Sequence, residues 1–203
     1  MTCIVGIQQD PFTVHMGADS ASSNDMFTGV AANPKLFEDD GCLFMGCGSW
    51  RSIQLLQHHL TVPFIPPNID ALTPHGWMVR HFIPQLRTVL KDHGFGRKEH
   101  EVESGGYFIV AAVGRLFKVQ QDYSVVEYAE GHFADGSGCF YALGSLHTTS
   151  RGEMKPHKRI RRALEAASHY DPFVRPPYRI ASTTFDPVTR TSTVAWHEKP
   201  GPV

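Results

Sequence analysis

The residue best placed to do chemistry is Thr2, one position from the start of the chain. A threonine hydroxyl is a poor nucleophile at neutral pH and needs an adjacent base. When threonine is the first residue, its own α-amine, with a reference pKa of about 7.7–8.0, can take that proton. A residue this small after Met1 leads us to expect removal of Met1, which makes Thr2 the N-terminus with no propeptide required. A β-branched residue is also at home in a first strand, so Thr2 alone supports either reading. The cysteines Cys3, Cys42, Cys47 and Cys139 form no CxxC pair and are too sparse for a disulfide scaffold, which favours free thiols in a reducing, cytoplasmic compartment. Cys3 reads as a small core residue, and Cys47 and Cys139 as packing residues, although a thiol near a pocket would make an enzyme sensitive to alkylation. Twelve histidines include neither an HExxH run nor ligand spacing of the zinc kind, so neither a metal site nor a cofactor is expected.

Short strands must position such a residue. The patterning predicts a hairpin of Thr2 to Ile7 and Thr13 to Gly17 across the turn Gln9-Asp10-Pro11. Lys35-Leu36-Phe37 and Cys42 to Gly46 flank a second, acidic turn, and these opening strands are expected to share one sheet. A helix begins after Gly48-Ser49, with Ser49 as a candidate cap and Ile53, Leu56 and Leu60 at helical spacing. It breaks at Pro63, Pro66 and Pro67. A second helix is predicted from about Pro74 to His93, kinked or divided by Pro84. Tyr107 to Val113, Arg115 to Gln120 and Val125 to Glu130 are rich in β-branched and aromatic residues and predict the middle of a second sheet. Helices then open at Gly138 and run from Lys155 to Tyr170. Tyr178 to Thr184 and Ser192 to Trp196 form the last strands, and Lys199 to Val203 reads as a loose tail.

This order of antiparallel strand runs alternating with helix pairs predicts an α+β fold of two packed sheets between helix layers in one domain, 1–203. With 41% apolar residues the chain can build one sizeable core. Nineteen basic against 20 acidic residues give a net charge of −1 and no single-sign field to steer it toward nucleic acid or an anionic membrane. No apolar run approaches the roughly 20 residues that span a bilayer.

The motif order Thr2-Cys3-Ile4-Val5-Gly6, Met16-Gly17-Ala18-Asp19-Ser20, Lys35-Leu36-Phe37 and Gly46-Cys47-Gly48-Ser49 resembles proteasome β subunits and the simpler bacterial proteasome-like peptidase. Gly136-Ser137-Gly138, with Tyr141-Ala142-Leu143-Gly144 behind it, resembles that family's glycine-serine-glycine turn, so the likeness spans nearly the whole chain. The resemblance implies an N-terminal nucleophile hydrolase with a four-layer αββα sandwich that cleaves peptide bonds through an acyl-Thr2 intermediate. It implies that Lys35 lies beside Thr2 and favours its neutral amine, that Asp19 pairs with Lys35, and that Gly48 supplies an oxyanion-binding NH. Ser137 and Asp171 are implied to orient Thr2 and its amine. After the aspartate the family has a serine and a glycine pair, whereas this chain has Phe173-Val174-Arg175-Pro176-Pro177, which removes one hydroxyl. The partners implied are a polypeptide substrate, further copies in a homo-oligomeric ring, and a AAA+ ATPase. A catalytically silent shell protein and a small-molecule amidase of the same fold stay open as alternatives.

Overall fold

The computed structural model describes residues 1–24, 26–65, 73–100 and 102–199. The first sheet contains β1 (Ile4–Gln8) and β2 (Thr13–Ala18); a short ribbon follows as β3 (Ala21–Ser23) and β4 (Thr28–Val30), then β5 (Leu36–Asp39) and β6 (Cys42–Cys47). Helix α1 (Trp50–His59) precedes α2 (Pro74–Trp77), which continues through a π-helical turn, Met78–Phe82, into α3 (Ile83–Asp92). The ribbon β7 (Arg97–Glu99) and β8 (Val102–Ser104) leads to β9 (Tyr107–Ala112), β10 (Arg115–Val119), β11 (Val125–Val126) and β12 (His132–Asp135). Helices α4 (Cys139–Thr149) and α5 (Pro156–Tyr170) come next, and β13 (Arg179–Asp186) and β14 (Thr191–Glu198) close the fold.

Two five-stranded sheets form, in the orders β12-β1-β2-β13-β14 and β11-β10-β9-β6-β5, with antiparallel neighbours throughout. Three buried clusters define four layers. Ile4, Met16, Leu43, Met45, Ile109 and Leu116 fill the space between the sheets. Val5, Ile7, Leu146, Ile160 and Leu164 join the first sheet to α4 and α5, and Phe44, Leu56, Trp77, Phe82 and Phe117 join the second to α1–α3. The predicted αββα arrangement is the observed one. Period-2 alternation explains it: along β1, Ile4 faces the opposite sheet while Val5 and Ile7 face the helices, so both faces are apolar.

Several expectations need correction. The opening strands divide between the sheets, because β6 pairs with β9 and carries β5 on its other edge while β1 and β2 pair with β12 and β13. Local alternation sets which face a residue takes but not which sheet a strand joins. The run Val125 to Glu130 gives only the two-residue edge strand β11, and β12, which the sequence reading left out, pairs with β1 over Ile4 to Ile7. Pro84 does divide its helix: the wider π turn ends just before α3, whose first turn holds the proline and needs no NH from it. Ser49 sits at the N-cap of α1 but its side chain makes no cap bond; Ser52 Oγ instead donates to the Ser49 carbonyl at 2.8 Å. The predicted breaks at Pro66 and Pro67, and residues 200–203 of the tail, lie outside the described residues.

Candidate active site

At one end of the first sheet, Thr2 sits just ahead of β1, only 3% exposed. Asp19, one residue past β2, is the hub that fixes it. Its Oδ1 accepts from the Cys3 amide at 3.0 Å and from Lys35 Nζ at 2.7 Å, and its Oδ2 accepts from the amides of Ala21 at 2.8 Å and Arg175 at 3.3 Å. The Asp19 amide in turn donates to the Cys3 carbonyl at 3.2 Å. One carboxylate thus joins the starts of β1 and β3, the approach to β5, and the segment after α5. Lys35 is 3% exposed, so burial lowers its pKa below the usual ammonium value, while the Asp19 carboxylate opposes that shift. The ammonium is held against the Asp19 carboxylate rather than in water.

From the opposite side comes the turn Gly136-Ser137-Gly138 between β12 and α4. The Thr2 amide donates to Ser137 Oγ at 3.3 Å, Ser137 Oγ reaches the Thr2 carbonyl at 3.4 Å, and the Gly138 amide donates to the same carbonyl at 3.3 Å. Gly136 has φ +93°, and a Cβ built on it would overlap the Thr2 carbonyl, so only glycine lets the turn approach this closely. Gly48, with φ +88°, ends β6 beside the site, and a Cβ there would meet nothing within 4 Å: its outer side is open. Met1, Thr2, Lys35, Gly48, Ser49 and Trp50 are among the residues lining a pocket of about 50 Å³. Met1 is itself 45% exposed and stands in the wall of that pocket.

Asp171 caps the C-terminus of α5 and is 6% exposed. Its Oδ1 accepts from the Phe173 amide at 2.9 Å, whereas its buried Oδ2 has no hydrogen-bond partner among the described residues. The structure therefore bonds Ser137 to Thr2 directly, ties the Lys35–Asp19 pair to the neighbouring Cys3 amide, sets Lys35 and Gly48 on the same pocket as Thr2, and leaves Asp171 without a bond to Thr2 while Met1 is attached. Phe173 gives only its amide to Asp171, so the hydroxyl implied by the resemblance has no replacement from that side chain. Arg175, Ser23 and Trp50 were not read from sequence. Arg175 contributes through its backbone, which no side-chain motif signals, and Ser23 and Trp50 reach the pocket only because β3 and α1 fold beside it.

The thiols around this site are not activated. Burial, reinforced by Asp19, pushes Cys3 far above the ordinary thiol value, and burial pushes Cys47 to about 12. Cys139 is half-buried and raised for the same reason. All four cysteines are free thiols.

No protein-family profile and no curated protein matches the chain. Solved structures do. The chain is similar to Thiobacillus denitrificans BPH in complex with epoxomicin, at 19% identity and a TM-score of 0.71 over 98% of this chain and 100% of that one. A second structure of Thiobacillus denitrificans BPH aligns at 20% identity with a TM-score of 0.74, covering 92% of this chain and 100% of that one. Eukaryotic HslV from Trypanosoma brucei aligns at 17% identity and a TM-score of 0.65, over 89% and 98% of the two chains. At these identities the likeness establishes the fold: this chain has the α+β sandwich of the HslV and BPH proteasome-like proteins.

Proposed function

We propose that this chain is a threonine-type peptidase of the proteasome kind, with Thr2 as its nucleophile once Met1 is removed. The observation that carries the reading is the buried Lys35–Asp19 pair built onto the Thr2-Cys3 backbone, with Ser137 at the Thr2 nitrogen and Met1 in the pocket wall. Removal of Met1 frees an amine on the residue that carries the hydroxyl. The Thr2 hydroxyl then attacks the scissile carbonyl and its proton passes to the α-amine. The Gly48 amide stabilises the oxyanion, and Lys35 stabilises negative charge developing at Thr2. Collapse breaks the C–N bond as the amine returns the proton to the leaving group. Water, deprotonated by the same amine, releases the acyl group and restores Thr2. The reading assigns Asp171 Oδ2, buried and without a partner among the described residues, as an acceptor for the new amine.

Two further observations support this reading. A protein of similar fold, Thiobacillus denitrificans BPH, is known in complex with epoxomicin. The exposed apolar side chains Phe140, Tyr141 and Tyr170, with Tyr141 and Tyr170 stacked at 5.3 Å, give a surface suited to assembly with further copies in a ring. A polypeptide is the substrate class, and a AAA+ ATPase is the partner that would deliver it. One feature favours the silent-shell alternative: Phe173 replaces a hydroxyl beside Asp171. Turnover decides between them. Hydrolysis of an unfolded protein and of fluorogenic peptides is expected from the natively expressed chain and not from Thr2→Ala. Equal, background-level hydrolysis by both would contradict the peptidase reading and leave the shell and the small-molecule amidase.

A further inference from the structure

Far from Thr2, three histidines of widely separated sequence meet. His15 lies on β2, His157 in the first turn of α5 and His197 near the end of β14, and one ring nitrogen from each falls within 4.8 Å of the others. The His157 and His197 rings stack at 4.4 Å, and His15 lies 5.5 Å from His197. Asp171 is at the other end of α5, roughly 20 Å away at 1.5 Å per residue, so this cluster is separate from the candidate active site. Among the described residues it is the one grouping of three or more histidines, cysteines or carboxylates close enough to hold a metal ion.

Two features make it more than a chance crowd of imidazoles. First, His15 is only 5% exposed, its Nε2 contacts Gln9 Oε1 at 2.8 Å, and its Nδ1 is buried with no hydrogen-bond partner. Because an amide oxygen accepts, Nε2 carries the hydrogen and Nδ1 presents a bare lone pair. A buried lone pair with nothing to bind is costly unless a ligand meets it. Second, the β13–β14 register shifts between Ile180 and Ala181, whose partners are Glu198 and Trp196, so His197 is the extra, bulged residue. Bulges re-aim a side chain. Here the bulged His197 is held by Ser182 Oγ at 3.0 Å from its Nε2, and Ser182 is itself the register partner of His15. Each of two rings thus has an outer hydrogen bond of the kind that fixes a metal-binding imidazole.

We propose that His15, His157 and His197 bind one divalent transition-metal ion, zinc being the natural occupant. Three neutral imidazoles and an open fourth position suit zinc, and the half-buried His157 and exposed His197 leave an approach from solvent. Burial lowers the pKa of all three rings, His15 to about 4, which keeps their lone pairs free at neutral pH. Bonds of about 2.0–2.1 Å in a tetrahedron bring ligand nitrogens to roughly 3.3 Å, so separations of up to 4.8 Å must contract by up to about 1.5 Å. Rotation of His157, whose ring makes no hydrogen bond among the described residues, supplies that contraction. Lys155 and Lys158 flank His157 and weaken cation binding without removing a ligand. The bound ion would pin the start of α5 to β2 and to the edge strand β14, three elements that share no covalent proximity.

The test uses the full chain freed of metal by a chelator and then titrated with zinc chloride and, separately, cobalt chloride. We expect one zinc per chain, a thermal midpoint that rises with zinc concentration, and the visible absorption of tetrahedral cobalt. His157→Ala and His197→Ala, both at accessible positions, should each weaken zinc binding by at least about tenfold and abolish the cobalt bands. His93→Ala alters the separate, exposed His59–His93 ring contact and should change neither. Absence of stoichiometric zinc and of the cobalt bands in the unsubstituted protein would overturn the proposal, whatever the variants do. So would binding that survives His157→Ala or disappears in His93→Ala.

Discussion

At the scale of single residues, the site depends on an ammonium and a carboxylate kept together out of water. Lys35 and Asp19 are 3% and 2% exposed and 2.7 Å apart, and the remaining lone pairs of Asp19 are used by three backbone amides. Removing one partner leaves an uncompensated buried charge, so Lys35→Met should destabilise the fold by about 3–5 kcal/mol, read by urea unfolding. Lys35→Met combined with Asp19→Asn should recover part of that loss. Near-zero loss in the single variant would mean the pair is not buried in solution. The proposed mechanism predicts a pH dependence with two limbs. Below the pKa of the Thr2 amine, about 7.7–8.0 for an unperturbed group, the base is protonated and the rate falls; the nearby Lys35 charge moves that limb toward lower pH. Above the lowered pKa of Lys35 its charge is lost, so the alkaline limb should begin below the ordinary lysine value of 10.5. A pH–rate profile of the processed protein, with Lys35→Arg retaining more activity than Lys35→Met, checks both limbs. The thiols should be slow: iodoacetamide at pH 7.5 should label half-buried Cys139 first, with Cys3 and Cys47 protected by burial and by raised pKa values. Peptide mapping after a short labelling time reads this directly, and early labelling of Cys47 would contradict it.

At the scale of elements, the turn between β12 and α4 matters most, because it holds the Thr2 carbonyl from one side as Asp19 holds Cys3 from the other. Gly136→Ala places a Cβ where φ is +93° and where the Thr2 carbonyl already sits. The backbone cost alone is about 1–2 kcal/mol, and activity should fall further than stability because the proposed nucleophile, Thr2, is displaced. A thermal midpoint measured beside the turnover rate separates the two. The helices were legible because their apolar stripes repeat at 3.6 residues: α5 was read to within one residue of its start, with Ile160, Ala163, Leu164 and Ala167 buried as their spacing required. Pro84 as a divider was legible too. The partition of strands between sheets was not, since β6 meets β9 in pairs such as Leu43 with Ala111, far apart in sequence, and alternation carries no information about partners. Of the candidate site, Thr2 was legible from the chemistry of an N-terminal hydroxyl, and Asp19, Lys35 and Ser137 through the motif order that resembles the proteasome family. The backbone amide of Arg175, and the meeting of His15, His157 and His197, could not, because neither has a local spacing to detect.

At the scale of the whole molecule, two sheets back to back give a frame on which β1 begins and β2 and β6 end at one rim, and the candidate site is assembled there. Helix α4 is apolar around most of its circumference yet buries only Ala142 and Leu146, with Phe140 80% exposed. A helix of that kind is normally covered. In a ring of copies α4 provides such a surface, so Phe140→Asp should shift sedimentation toward the monomer with the circular dichroism spectrum unchanged; an unaltered assembly would place the interface elsewhere. Among the described residues no helix is long and apolar enough to cross a membrane. The central claim concerns one proton and one amine, and a peptide epoxyketone tests it most directly, since that warhead requires a hydroxyl and an amine on the same residue. Natively expressed protein treated with the reagent and mapped by tandem mass spectrometry should show a chain beginning at Thr2 and an adduct on Thr2. A chain that retains Met1, or an adduct found on a cysteine instead, would contradict the account.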